Sequence, residues 1–172
     1  MPVDYSPSSS WTTHHLHHSI TFGEKIMERL DITKLFPGIY EAIRGLEKAT
    51  GELKITPLQK ELIKIRASQL NGCAFCLHMH AELALKYGEA AYRLNLIAVW
   101  KEAKHLFSEE EQVMLELTEQ MTLIHQEGLT ADVYSKAIQF FGEETTAQIM
   151  MSVLAINSWN RLGVALHWKP QI

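Results

Sequence analysis

The chain is short of cysteine: 172 residues hold two, Cys73 and Cys76, separated by two residues. A secreted disulfide scaffold uses more cysteines, spaced to close longer loops. That class is excluded, and the pair reads as chemical, in a reducing compartment such as the cytoplasm. Charge of one sign is also lacking. The net charge is −4 with no dominant basic patch, which argues against a nucleic-acid partner. Long hydrophobic runs are missing too. The longest apolar stretch, Ile149–Ile156, is far too short to span a bilayer, so no membrane role is expected. No basic start followed by an apolar run marks a secretory leader. Strand-like alternation, internal repeats and long linkers are likewise not found.

What is present is helix after helix. Apolar residues make up 47% and charged residues 21%, ordinary for one globular domain with a sizeable core. Residues 1–20 stand apart: a Ser, Thr and Pro-rich stretch precedes His14, His15, His17 and His18 and reads as an irregular arm. Residues 21–172 form the expected helical domain. Pro37 opens a helix that Gly51 stops. Thr56, Pro57 and Gln59 make a capping box for a helix ending near Asn71-Gly72. The next begins at Cys73 and stops at Gly88, and another covers about Glu89–His105. Ser108 with Glu111 caps a helix to about Gln126, with Val113, Leu117, Met121 and Ile124 on its apolar face. Thr130 caps a helix to Phe141, and Gly142 ends it. A last helix, about Glu143–Leu166, is apolar almost all round over Ile149–Ile156, as a central buried helix would be. The expected class is all-α.

The helix beginning at Cys73 carries the chemistry. Cys73, Cys76, Leu77, His80, Leu83, Ala84 and Tyr87 share one stripe, while His78, Glu82 and Lys86 occupy the opposite, solvent-facing one. A free thiol near pKa ~8.5 is mostly protonated at neutral pH, and a helix N-terminus with a neighbouring imidazole raises its thiolate fraction. His80 follows Cys76 by one turn. Glu61, between Leu58 and Ile65 on the preceding helix, sits beside an apolar face and needs a partner. A Glu61–water–His80–Cys76 relay would supply one. Buried cysteines are often plain core residues, but two of them on a histidine's stripe point to function. Zinc would need two further ligands, and no second C-x-x-C exists. No metal and no other cofactor is expected.

Glu61, eleven residues, Cys73-Ala74-Phe75-Cys76, three residues and His80 together resemble the E-x11-C-x-x-C-x3-H signature of AhpD-like alkylhydroperoxidases, members of the carboxymuconolactone decarboxylase superfamily. Ile65–Gly72 before the thiols, Trp100 followed by Phe107–Glu111, and Ala155–Arg161 in the last helix are similar to the family as well. The resemblance spans about Phe36–Leu166. It implies an all-α fold, a homo-oligomer (trimer or hexamer), and reduction of a hydroperoxide substrate by the cysteine pair at the expense of a dithiol or protein-thiol reductant. It also implies that Glu61 and His80 activate Cys76 as the attacking thiol, with Cys73 resolving. Position along the helix alone would favour Cys73 as the attacker. The family's peroxidase carries a histidine just before the second cysteine, where this chain has Phe75. A thiol-disulfide oxidoreductase or redox sensor, and an oligomeric protein with inert thiols, are the alternatives.

Overall fold

A computed structural model describes residues 29–50 and 54–170. The N-terminal arm, residues 1–20 with its four histidines, lies outside these residues. Among the described residues the chain is all-α, with seven α-helices and no strand. They are α1 (Ile32–Leu35), α2 (Pro37–Thr50), α3 (Pro57–Asn71), α4 (Ala74–Lys86), α5 (Ala91–Leu96), α6 (Glu109–Thr122) and α7 (Ala131–Ala165). Among the described residues no helix is long and apolar enough to cross a membrane.

The helix starts follow the capping chemistry. Both expected boxes form: Gln59 N donates to Thr56 Oγ1 while Thr56 N donates to Gln59 Oε1, and Ser108 and Glu111 do the same. Thr130 caps α7 through Val133 N. The two helices expected on either side of Gly142 are there: Gly142, at φ 73° and ψ 169°, is not helical and breaks the α7 run in two. α6 ends at Thr122 rather than Gln126, which leaves Ile124 exposed beyond it.

Two expectations change. The single helix foreseen over Glu89–His105 is broken: α5 passes into a 3-10 turn at Ile97–Val99, and a second 3-10 turn covers Lys104–Leu106. Ile97, Trp100 and Ala103 are all buried. Their spacing of three aligns them in a backbone with three residues per turn, whereas an α-helix would rotate them progressively off the core. Trp100 is therefore part of the core.

The most enclosed helix is α3, not the last one. Glu61, Leu62, Ile63, Lys64 and Ile65 are consecutive and all buried, and α3 packs on α4, α6 and α7. α7 keeps Met151 and Leu154 exposed. α3 hides its centrality because its polar residues are matched by partners from distant segments: Glu61 by His80, Lys64 by Glu47 and Arg66 by Glu119. Ile63, Met114, Leu117, Ile149 and Val153 fill the core on one side of it, and Leu62, Ile65, Ile97, Trp100 and Leu115 fill the other.

Glu119 joins three segments. Arg66 Nε donates to its Oε1 at 2.8 Å, Trp100 Nε1 donates to the same oxygen at 2.6 Å, and Lys101 Nζ lies 2.9 Å from Oε2. Burial alone would push this carboxyl up. Hydrogen bonds from Lys101 and Trp100 and the charge of Arg66 outweigh it, and hold the group below the usual carboxylate range. The stability it contributes is therefore present above the unfolded value of about 4.3 and is lost as pH falls through the lower, folded value. Glu119→Gln should cost about 1–3 kcal/mol at pH 7 and flatten the acid side of the stability profile. Urea midpoints measured between pH 3 and 7 check both effects.

Candidate active site

The turn between α3 and α4 fixes where the thiols stand. Gly72 adopts φ 68°, a left-handed conformation that a side chain would disfavour. Its N–H donates to Gln69 O and the Cys73 N–H donates to Ser68 O at 3.0 Å, which closes a Schellman motif. The chain reverses so tightly that Cys73, two residues past α3, is already the N-cap of α4. The Cys76 N–H points at Cys73 Sγ, 3.3 Å away.

A buried amide network pins this corner to α7. Asn71 Nδ2 lies 3.0 Å from both Asn157 Oδ1 and Asn160 Oδ1, and Asn160 Nδ2 donates to Ser68 Oγ at 3.0 Å. Asn157 Nδ2 reaches on to Thr122 Oγ1 at 3.1 Å. Each amide nitrogen of this network finds an acceptor, as burial demands.

All four residues foreseen from the sequence are buried at this corner. Cys73 and Cys76 are joined as a disulfide, and each is 2% exposed. His80 Nδ1 and Glu61 Oε2 are 2.6 Å apart, both side chains nearly sealed from solvent. The contact is direct, so no water bridge is needed between them. Tyr87, placed on the inner stripe by periodicity, is exposed, because α4 ends at Lys86 and the backbone turns away at Gly88.

A cavity of about 910 Å³ opens over the pair. Cys76 and His80 line it and Cys73 does not. Four aromatic rings form part of its wall. Phe75 meets Trp168 edge-on with centroids 5.6 Å apart, Trp159 and Trp168 are 6.4 Å apart, and Tyr40 of α2 sits edge-on to Trp159 at 5.5 Å. Among the described residues no group of three His, Cys, Asp or Glu is placed to hold a metal ion.

Sequence reasoning missed Gly163. A Cβ there would lie 2.8 Å from Cys73 Sγ and 3.4 Å from Cys76 Sγ. Only glycine lets α7 pass this close behind the sulfurs. The signal was available: a glycine inside a helical pattern with no turn to make usually has a packing reason. Gly163→Ala gains roughly 1 kcal/mol in helix propensity but must displace a cross-linked sulfur, at about 1–3 kcal/mol. The oxidised variant should melt several degrees below the parent, and the deficit should shrink on reduction, when Cys73 is free to turn. Thermal unfolding with and without dithiothreitol measures it.

Residues 37–119, a span containing Glu61, Cys73, Cys76 and His80, match the Carboxymuconolactone decarboxylase family. The chain is 35% identical over 139 residues to the uncharacterized protein YdfG of Bacillus subtilis, covering 81% of this chain and 94% of that one. A crystal structure of an Agrobacterium tumefaciens protein of unknown function, proposed there as the antioxidant defence protein AhpD, superposes with a TM-score of 0.80. That similarity is at 30% identity and covers 84% of this chain and 99% of the other. An uncharacterized peroxidase-related protein from a Silicibacter species shares the fold, with a TM-score of 0.67 at 21% identity over 76% of this chain and 69% of that one.

Proposed function

The chain belongs to the carboxymuconolactone decarboxylase family, among its AhpD-like members, and on that premise we propose that it is a thiol-dependent peroxidase that reduces organic hydroperoxides through Cys76 and Cys73. The observation that carries the reading is the asymmetry of the pair. Cys76 faces the cavity beside His80, whereas Cys73 is turned inward toward Gly163. Only Cys76 has room in front of it for a substrate.

In the reduced protein His80 takes the Cys76 proton. The thiolate attacks the terminal peroxide oxygen, the O–O bond breaks, and the alkoxide leaves as alcohol with the proton His80 returns. Cys76 is then a sulfenic acid. The Cys73 thiol attacks that sulfur, water leaves, and the disulfide forms. Glu61 holds the Nδ1 edge of His80 at 2.6 Å, which leaves Nε2 for the proton traffic. A dithiol donor then attacks Cys76, the sulfur it can reach, and expels Cys73 as thiolate. The N-cap position favours that leaving group, because the helix terminus stabilises negative charge there. The donor's second thiol attacks the donor's own sulfur in the mixed disulfide, leaves as the donor disulfide and frees Cys76 as thiol. The sum is hydroperoxide plus dithiol to alcohol, water and disulfide. Cys73 thus uses the helix terminus in the reductive half and Cys76 uses the histidine in the oxidative half.

A second reading, thiol-disulfide exchange without peroxide turnover, is favoured by Phe75. It packs on Trp168 and offers no proton where the family's peroxidase has a histidine. A cytoplasmic, homo-oligomeric protein is part of the leading reading. Exposed Phe36, Ile39, Met151 and Leu154 support association.

Steady-state consumption of cumene hydroperoxide with dithiothreitol separates these readings. Cys76→Ser should abolish turnover, Cys73→Ser should accumulate a dimedone-reactive sulfenic acid, and Glu61→Gln should lower kcat about 10²-fold. Full turnover by Cys76→Ser would overturn the assignment. Rapid reduction of the Cys73–Cys76 disulfide by one equivalent of dithiothreitol, with no peroxide consumed, would favour the second reading.

A further inference from the structure

The cavity over Cys76 is far larger than a peroxide group. At about 910 Å³ it is near the upper end of small-molecule sites, so it is shaped for the rest of the substrate. Next to the sulfur it is apolar: Phe75, Trp159, Trp168, Met79 and Leu83 give flat, greasy walls. The far wall is different. Tyr40, Arg44 and Lys48 follow one another at intervals of four on α2, so one face of that helix carries an aromatic ring and two cations to the cavity. Lys169, just past Trp168, adds a cation from the chain's end, and Lys64 adds one from α3.

Two carboxylates share this lining. Glu47 is committed to Lys64, a largely buried ion pair, and Glu41 lies 3.7 Å from Arg44 in an exposed one. Four cations against two carboxylates leave the rim net positive, and among the described residues neither Lys48 nor Lys169 is in an ion pair. Gly45 carries no side chain into the space between them, and nothing lies within 4 Å of where its Cβ would be. The layout runs from sulfur, through an aromatic slot, to a positive rim.

We propose that this cavity selects organic hydroperoxides that carry a carboxylate at the end of a bulky, ring-sized apolar body, with the peroxide at Cys76, the body between Phe75, Trp159 and Trp168, and the carboxylate at Lys48 and Lys169. The proposal rests on the peroxidase reading above and adds the substrate class. Hydrogen peroxide and small alkyl peroxides use neither the slot nor the rim. A carboxylate at this exposed rim gains charge-assisted hydrogen bonds from Lys48 and Lys169, and the gain fades with salt as exposed cations are screened.

The test compares a matched pair, cumene hydroperoxide and its para-carboxylate, 4-(2-hydroperoxypropan-2-yl)benzoate. kcat/KM should be about tenfold higher for the carboxylate at low salt, and the ratio should fall toward one in Lys48→Met/Lys169→Met. Binding is read separately, from quenching of tryptophan fluorescence in the oxidised protein by 4-isopropylbenzoate against neutral 4-isopropylbenzamide, neither of which can react. Equal kcat/KM values together with equal binding would overturn the substrate class while leaving the peroxidase intact. Turnover of neither peroxide would overturn the peroxidase reading. Tighter binding of the benzoate, lost in the double variant, would then still support a carboxylate-binding cavity, and equal binding would overturn that as well.

Discussion

A carboxylate at the centre of a helical bundle has to be answered, and the answer given to Glu61 organises this molecule. An unpaired charge there would cost several kcal/mol. His80 meets it at 2.6 Å, and that contact requires α4 to leave α3 at one fixed angle. The angle comes from Gly72 and the Schellman turn, which in turn puts Cys73 at the N-cap and Cys76 one turn before His80. The Asn71, Asn157, Asn160 and Ser68 network then locks α7 against the same corner. Apolar packing of Leu62 and Ile65 with Leu77 and Ala84 holds α3 and α4 together around the Glu61–His80 contact.

The placement also supplies the surroundings that the proposed chemistry needs. The sulfurs are part of the core: together with Ala67 and Ile156 they form a packed cluster flanked by Phe75 and Trp159. Burial holds their geometry, and the cavity gives one of them an outlet. Positioning comes from rigid elements on three sides, α3, α4 and α7, which suits the nucleophile, proton carrier and resolving thiol proposed for it.

Much of this was legible in the chain. The caps at Thr56, Ser108 and Thr130 and the stop at Gly72 are local chemistry, carried by neighbouring residues, and the structure has them as read. The stripe of Cys73, Cys76 and His80 is likewise a property of one helix. What stayed hidden depends on partners far along the chain. α3 looks half polar, yet it is central because Lys64 and Arg66 find Glu47 and Glu119 elsewhere. The Glu89–His105 segment has helical composition, but burying Ile97, Trp100 and Ala103 together favours a tighter backbone. Gly163 could be noticed as an odd glycine, but what it accommodates is visible only when α7 is seen passing behind the sulfurs.

The N-cap role of Cys73 joins two properties that are usually discussed apart. Its sulfur caps α4 and is also the atom whose bonding changes when the pair is oxidised. Reduction, oxidation, folding and unfolding therefore form one thermodynamic cycle. Whatever free energy the folded chain gains by having Cys73 in one bonding state over the other must reappear, with the same magnitude, as a difference in how readily the pair accepts electrons in the folded and unfolded chains. A change at the foot of α4 or behind it on α7 is then felt twice, once as stability and once as electron affinity, even when it touches no substrate. The helix cap is in that sense a tuning element, and the scaffold sets the driving force of the chemistry it carries.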